Sequence, residues 1–349
     1  MKKGSVTLVS VFLIISIFTL ANFSIVLGTK ALSEERITTD ASSQYSPAIY
    51  SDIVVWYDER NGNYDIYGYN LNTKQEFQIT TNTSAQYYPA IYGDIVVWND
   101  ERNGNYDIYG YNLKTKEEFP ITTNTLWQYY PDIYGDIVVW NDYRNGNYDI
   151  YGYNLKTKEE FPITTDASSQ YSPAIYGDIV VWEDYRNGNY DIYGYNLNTK
   201  QEFPITTDAS WQDSPAIYGD IVVWHDNRNG NWDIYGYNLN TKQEFPIITN
   251  TSGQDYMAIY GDIVVWRDDR NGNDYDIYGY NLNTKQEFPI TTNTSGQYYP
   301  AIYCDRVVWQ DWRNGNWDIY LAYLDVSCKT TKILPIDKIL KIVKENQEE

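Results

Sequence analysis

Four consecutive apolar residues, Ile-Val-Val-Trp, stand at 95–98 between Gly93-Asp94 and Asn99-Asp100, and the run returns along the chain with little change. A strand with one wet side alternates apolar and polar residues, whereas a run that is apolar at every position needs cover on both faces. Shorter β-rich segments flank each run, and the spacing predicts four strands per unit. In the second unit these are A over 89–92, B over 95–98, C over 107–113 and D over 119–123. Asn103-Gly104 between B and C is a strong hairpin signal, because both residues reach positive φ cheaply. Alternation along C puts Tyr109, Tyr111 and Leu113 on one face and Ile108, Gly110 and Asn112 on the other. A glycine in mid-strand is expected to make room for a neighbour's aromatic ring.

The Trp of the run falls at 56, 98, 140, 182, 224, 266 and 309, a period of 42 residues five times and 43 once, the extra residue being Asp274. A fixed period of this length signals a repeat architecture. Seven such units predict an all-β fold, a seven-bladed β-propeller of four-stranded antiparallel blades. Residues 34–50 match 159–176, which run from the end of one unit into the next, so the chain opens with the last strand of a blade. Strand D at 36–40 is expected to complete the blade built by 299–326, closing the ring and removing two open sheet edges. A solenoid of stacked hairpins leaves that displaced strand unexplained. The last unit departs from the others, with Leu321 for the strand C Gly, Ala322 for the Tyr and Cys304 for the turn Gly, as terminal repeats commonly do.

The chain has 38 Tyr and is 17% aromatic, so its acidity belongs to a folded surface rather than to a disordered one. A net charge of -21 without Lys/Arg clusters excludes nucleic acid and disfavours anionic membrane surfaces. Lys2 and Lys3 precede an apolar run over 6–27, and Thr29-Lys30-Ala31 offers small residues where a signal peptidase needs them. Residues 1–31 therefore read as a signal peptide or, if uncleaved, an N-terminal membrane anchor. Residues 32–328 form the propeller, and 329–349 are a tail with a short amphipathic helix over 333–343. The expected location is extracellular, at the cell surface or in the periplasm.

The pattern Pro-x-Ile-Tyr-Gly-Asp followed by W-x-D-x-R-N-G-N-x-D-I-Y resembles the TolB-type propeller repeat, with its Ser-Pro-Asp-Gly turn and S-x-R-x-G-x-x-D-I-Y segment. Ser-Pro survives at 46–47, 172–173 and 214–215, while the turn has become Tyr-Gly-Asp. The resemblance covers 36 to about 326 and implies a divergent branch similar to repeats in archaeal and bacterial cell-surface proteins. It implies a ring used for protein contact, on a scaffold that also carries some enzymes.

Positions shared by all units belong to the scaffold. Asp58, Arg60 and Asp65 recur in every unit, for example as Asp142, Arg144 and Asp149, and are expected to form a clamp in which Arg bridges two carboxylates across the B–C turn. A calcium loop is the rival reading, but the guanidinium repels a cation and the closing Glu is absent. A Gln recurs in each D–A loop (Gln44, Gln86, Gln128, Gln170, Gln212, Gln254, Gln297), either bonding its own turn or ringing the channel mouth with amides. Cys304 and Cys328 form a candidate disulfide, although strand B between them puts the Cα separation in question. Asn82, Asn250 and Asn293 begin N-x-Ser/Thr sequons.

Function is sought where the copies differ. The residue after the Trp runs Tyr57, Asn99, Asn141, Glu183, His225, Arg267, Gln310, and the D–A and B–C loops carry Trp127, Trp211 and Trp312. These loops share one face of a propeller, which makes Trp127, Trp211, Trp312, Glu183, His225 and Arg267 the candidate binding residues. His225 is the only His, which excludes multi-histidine metal centres, and no G-x-S-x-G context appears. No cofactor, metal or catalytic residue is assigned. The expected function is an exported, non-enzymatic module binding an envelope protein or glycan. A polysaccharide lyase or hydrolase on the same face, or a purely structural envelope component, are the alternatives.

Overall fold

The computed structural model describes residues 28–250, 252–272 and 275–328, which contain strands and turns and no helix. The expected leader before residue 28, the extra Asp274 and the helix expected over 333–343 lie outside the described residues. These residues form seven four-stranded antiparallel sheets, six of them built from consecutive strands. Blade 2 consists of Gln86–Tyr92, Ile95–Asp100, Asp107–Asn112 and Glu117–Pro120. The seventh sheet joins Gln297–Tyr303, Arg306–Asp311 and Asp318–Leu324 to the N-terminal strand Ala31–Arg36, which closes the ring.

That closing strand lies at 31–36 rather than 36–40, and strand D begins early in the other blades as well. In the other blades the cause is the tight C–D turn. In blade 2, Asn112 Oδ1 accepts the N–H groups of Lys114 and Thr115, Lys116 takes a φ of 64°, and pairing resumes at once with Asn112 opposite Glu117. Strand A is longer than expected and starts at the repeated Gln. A β-bulge at its third residue gives all seven copies a positive φ, including Tyr88, Tyr130, Tyr256 and Tyr299.

The apolar run of strand B is covered on both faces because each core sits between two blades. Val55, Ile66 and Ile79 of blade 1 pack against Ile91, Val96, Trp98 and Tyr109 of blade 2, while Val97 faces blade 3. Closure repeats this contact, with Val308, Ile319, Leu321 and Ile37 of blade 7 packing against Ile49, Val54, Trp56 and Tyr67 of blade 1. Gly110 does make room for an aromatic ring, and the ring comes from its own blade. A Cβ at Gly110 would stand 2.7 Å from Phe119, its cross-strand partner. In blade 7 that pair is Leu321 and Glu35, so the larger residue has moved from one strand to the other.

Cys304 and Cys328 are bonded, with Cα atoms 5.2 Å apart. The chain after strand C curls back to reach the A–B turn. At that point Asp325 N–H donates to the Lys30 carbonyl at 2.9 Å.

Candidate functional site

The recurring Asp and Arg form a clamp, but not the expected one. In blade 2 the buried Asp100 carboxylate takes four donors: Trp98 Nε1 at 2.9 Å, Arg102 N at 3.0 Å, Nε at 2.7 Å and Nη2 at 2.6 Å. The second carboxylate on Arg102 is Glu118 of strand D, and the guanidinium lies 4.0 Å from the centroid of the Tyr109 ring. Arg60 and Arg144 likewise hold Asp58 with Glu76 and Asp142 with Glu160. Asp65 and Asp149 are bonded by Asn61 and Asn63 and by Asn145 and Asn147. The reason is geometric. A guanidinium that meets its i−2 carboxylate fork to fork points outward towards strand D, leaving the turn amides for the second Asp.

The repeated Gln residues are buried and do not ring a mouth. Gln128 Oε1 accepts Thr122 Oγ1–H at 3.1 Å, and its amide donates to the Leu126 carbonyl.

Strand A lines the central channel in three tiers. Its seventh residue is Tyr in every blade, and Tyr50, Tyr92, Tyr134, Tyr176, Tyr218, Tyr260 and Tyr303 form a closed ring at the end opposite the variable loops. Neighbouring centroids there are 4.5–4.9 Å apart. The fifth residue is Ala except in blade 3, where Asp132 accepts the N–H groups of Ile133 (2.8 Å) and Ile175 (2.9 Å). Burial pushes its carboxyl up to about 6 against those two bonds. The third residue is Ser46, Tyr88, Tyr130, Ser172, Ser214, Tyr256 or Tyr299, around a cavity of about 380 Å³. Two tyrosine pairs narrow it, Tyr88–Tyr130 at 5.0 Å and Tyr256–Tyr299 at 4.2 Å.

The variable residue after each Trp faces this bulge in the next blade. Asn99, Glu183 and Gln310 each accept one bulge N–H, from Tyr130 (3.1 Å), Ser214 (2.7 Å) and Ser46 (2.9 Å). Arg267 has no acceptor to offer, and His225 has been drawn into a different bond. Their cross-strand partners, the second residues of strand A, have changed with them, to Asp213 and Asp255, where the other five blades have Tyr. His225 Nδ1 lies 3.1 Å from Asp213 Oδ1, and Arg267 is bonded to both oxygens of Asp255. The Arg267 guanidinium is also stacked among Tyr275 (4.1 Å), Tyr298 (4.4 Å) and Tyr256 (4.7 Å). Asp213 and Asp255 escaped the sequence reading, although the exchange of Tyr for Asp in phase with His225 and Arg267 was visible in the alignment of the repeats.

Glu183, His225 and Arg267 therefore come together along blades 4 to 6. Beside them is a cavity of about 420 Å³ walled by Trp232, Tyr256 and Tyr275. Burial and then Asp213 push the Glu183 carboxyl up to about 7, opposed by the Ser214 N–H. Burial also raises Asp255, with Arg267 pulling it back. The site thus holds acceptors, aromatic walls and one carboxyl that changes charge near neutrality. Among the described residues, no three His, Cys, Asp or Glu side chains converge to hold a metal ion.

The three tryptophans are not brought together. Trp127, Trp211 and Trp312 are 48, 53 and 45% exposed, in blades 3, 5 and 7 around one rim. Trp127 rests near Tyr143, Trp211 near Tyr190 and Trp312 near Trp317.

No known family profile matches the sequence, and no curated protein matches it. Solved structures do share the fold. An oligogalacturonate lyase from Vibrio parahaemolyticus matches with a TM-score of 0.65 at 14% identity, over 85% of this chain and 98% of that one. The β-propeller domain of the trilobed protease from Pyrococcus furiosus, described as having an open velcro topology, matches at 0.64 and 14%, over 82 and 96%. A protein described as a putative TolB from Agrobacterium tumefaciens matches at 0.50 and 15%, over 75 and 98%. Identities this low establish the fold and leave the activity open.

Proposed function

We propose that this chain is an exported envelope protein that binds a protein or glycan through the face formed by its D–A and B–C loops, without catalysing a reaction on it. One observation carries the reading. Of the large apolar side chains exposed among the described residues, Leu126, Trp127, Tyr130, Tyr185, Trp211, Tyr256 and Trp312 all belong to that end of the ring, and only Leu32 lies elsewhere. Exposed aromatic rings rimmed by polar loops mark interaction surfaces. The fold likeness to a TolB supports a contact role, and the N-terminal sequence supports export.

A polysaccharide lyase or hydrolase acting across the same face is the second reading. Glu183, with a carboxyl that titrates near neutrality beside Asp213 and His225, favours it. Against it, Glu183 is committed to the blade-to-blade bond that Asn99 and Gln310 make elsewhere. The test is a pull-down from an envelope extract of the producing cell, with the Trp127→Ala/Trp211→Ala double variant as control. Material retained by the natural chain and lost by the variant supports the binding face, and equal recovery overturns it. New reducing ends in retained polysaccharide would move the assignment to the enzyme.

A further inference from the structure

The cavity between blades 5 and 6 has features that no scaffold role requires. His225 is buried, its side chain 5% exposed; one ring nitrogen faces Asp213, and among the described residues Nε2 has no hydrogen-bond partner. A buried polar atom without a partner is destabilising, so a group that reaches and bonds it gains what folding left unmet. Five of the seven blades fill the position opposite the residue after the Trp with a tyrosine. Replacing that ring by Asp213 and Asp255 in two adjacent blades opens a cavity in the small-ligand size range and lines it with acceptors.

We propose that this cavity is a subsite for one pyranose residue that is uncharged or carries an amine. This deepens the binding reading above and rests on it. The carboxylates of Asp213 and Asp255, 29 and 38% exposed on their side chains, accept hydrogen bonds from sugar hydroxyl or ammonium groups. His225 lines the same cavity. Trp232, Tyr256 and Tyr275 offer ring faces against which the C–H side of a pyranose packs.

Charge decides the class. Three carboxylates line the cavity, Asp213, Asp255 and Asp269, and the one guanidinium there, Arg267, is already bonded to Asp255 and covered by three tyrosines. No free cation remains among the described lining residues to receive an acidic group, and the chain as a whole carries a net charge of -21. A uronate or phosphorylated sugar is repelled on both counts. Trp211, two residues before Asp213 and exposed on the rim, is placed to take the next sugar of a chain.

The experiment is calorimetric titration of the full chain with tetramers of glucose, N-acetylglucosamine, glucosamine and galacturonate. A control variant, Asp213→Tyr/His225→Asn, restores the Tyr/Asn pair that blades 2 and 3 carry at these positions, and its melting temperature checks that it folds. We expect saturable binding of at least one of the first three, no binding of galacturonate, and at least a tenfold loss in the variant. Galacturonate binding as tight as the others, unchanged affinity in the folded variant, or no heat with any tetramer each overturns the subsite. If the Trp-dependent pull-down still succeeds and a proteinase abolishes the retained material, the binding face stands and the sugar subsite falls.

Discussion

The two ends of the central channel are made by the same seven strands, one residue type at one end and a mixture at the other. At the closed end every strand A finishes in Tyr, and each ring touches both neighbours at nearly equal distance, so a change in one copy disturbs two blades. At the open end the third residue is Ser or Tyr, and the residue after the Trp is any of six types, of which Asn99, Glu183 and Gln310 bond forward to one blade only. Identity among the copies thus follows shared contacts between blades, and divergence follows positions whose loss one blade can absorb. Within the open end, blades 5 and 6 diverge furthest, and there the change is paired across strands.

The largest effect is expected from removing an invariant residue. In Arg144→Ala the Asp142 carboxylate, fully buried, keeps the Trp140 indole N–H and one backbone N–H but loses its charge partner among the described residues. Stranding a buried charge costs about 3–5 kcal/mol. Chemical denaturation should show a loss of that size. An unchanged stability would mean that the most repeated residues of the chain are not what holds it together.

A second change should act in the opposite direction. Glu183 stands where blade 7 has Gln310, and both accept the same N–H, so Glu183→Gln keeps the bond and deletes a buried charge. The folded pKa of Glu183, about 7, lies above its ordinary 4.5, so its contribution to stability is present below about pH 4.5 and lost as pH rises towards 7. The variant should therefore match the natural chain at pH 4 and exceed it at pH 8 by roughly 3 kcal/mol. A gain at pH 8 would show that the divergent face carries a stability cost that the scaffold does not, as functional positions commonly do. No gain would return Glu183 to the scaffold.

The fold was legible because its signals repeat: IVVW apolar on both faces, Asn-Gly turns and a fixed period leave few architectures. Even the displaced closing strand could be read, since residues 34–50 copy the end of one unit and the start of the next. The clamp was misread at one end, because spacing along the chain suggested Asp65 for Arg60 whereas the outward guanidinium meets Glu76 on another strand. The candidate site was half legible. Glu183, His225 and Arg267 stood out as departures at one position, but Asp213 and Asp255 lie 12 residues earlier, and only strand register puts them opposite. Asp132 was missed for the same reason: one Asp among six alanines acquires meaning only when strand A is known to face the channel.

The smallest effect concerns the exchange between Gly and its partner, which separates blade 7 from the rest. In blade 3 a Cβ on Gly152 would meet Phe161 at 2.7 Å, and the contact is with the far edge of a ring that can shift by a few tenths of an ångström. Gly152→Ala is therefore expected to cost about 1–3 kcal/mol, towards the lower end if the ring moves outward. Blade 7 shows the compensated form, Leu321 opposite Glu35, with the leucine filling the interblade core and the glutamate turned to solvent. Transplanting that pair as Gly152→Leu/Phe161→Glu should recover most of the loss, measured as a coupling energy from the double-mutant cycle. Additive losses would show that blade 7 tolerates leucine for a reason peculiar to ring closure, and that the copies are less interchangeable than their sequences suggest.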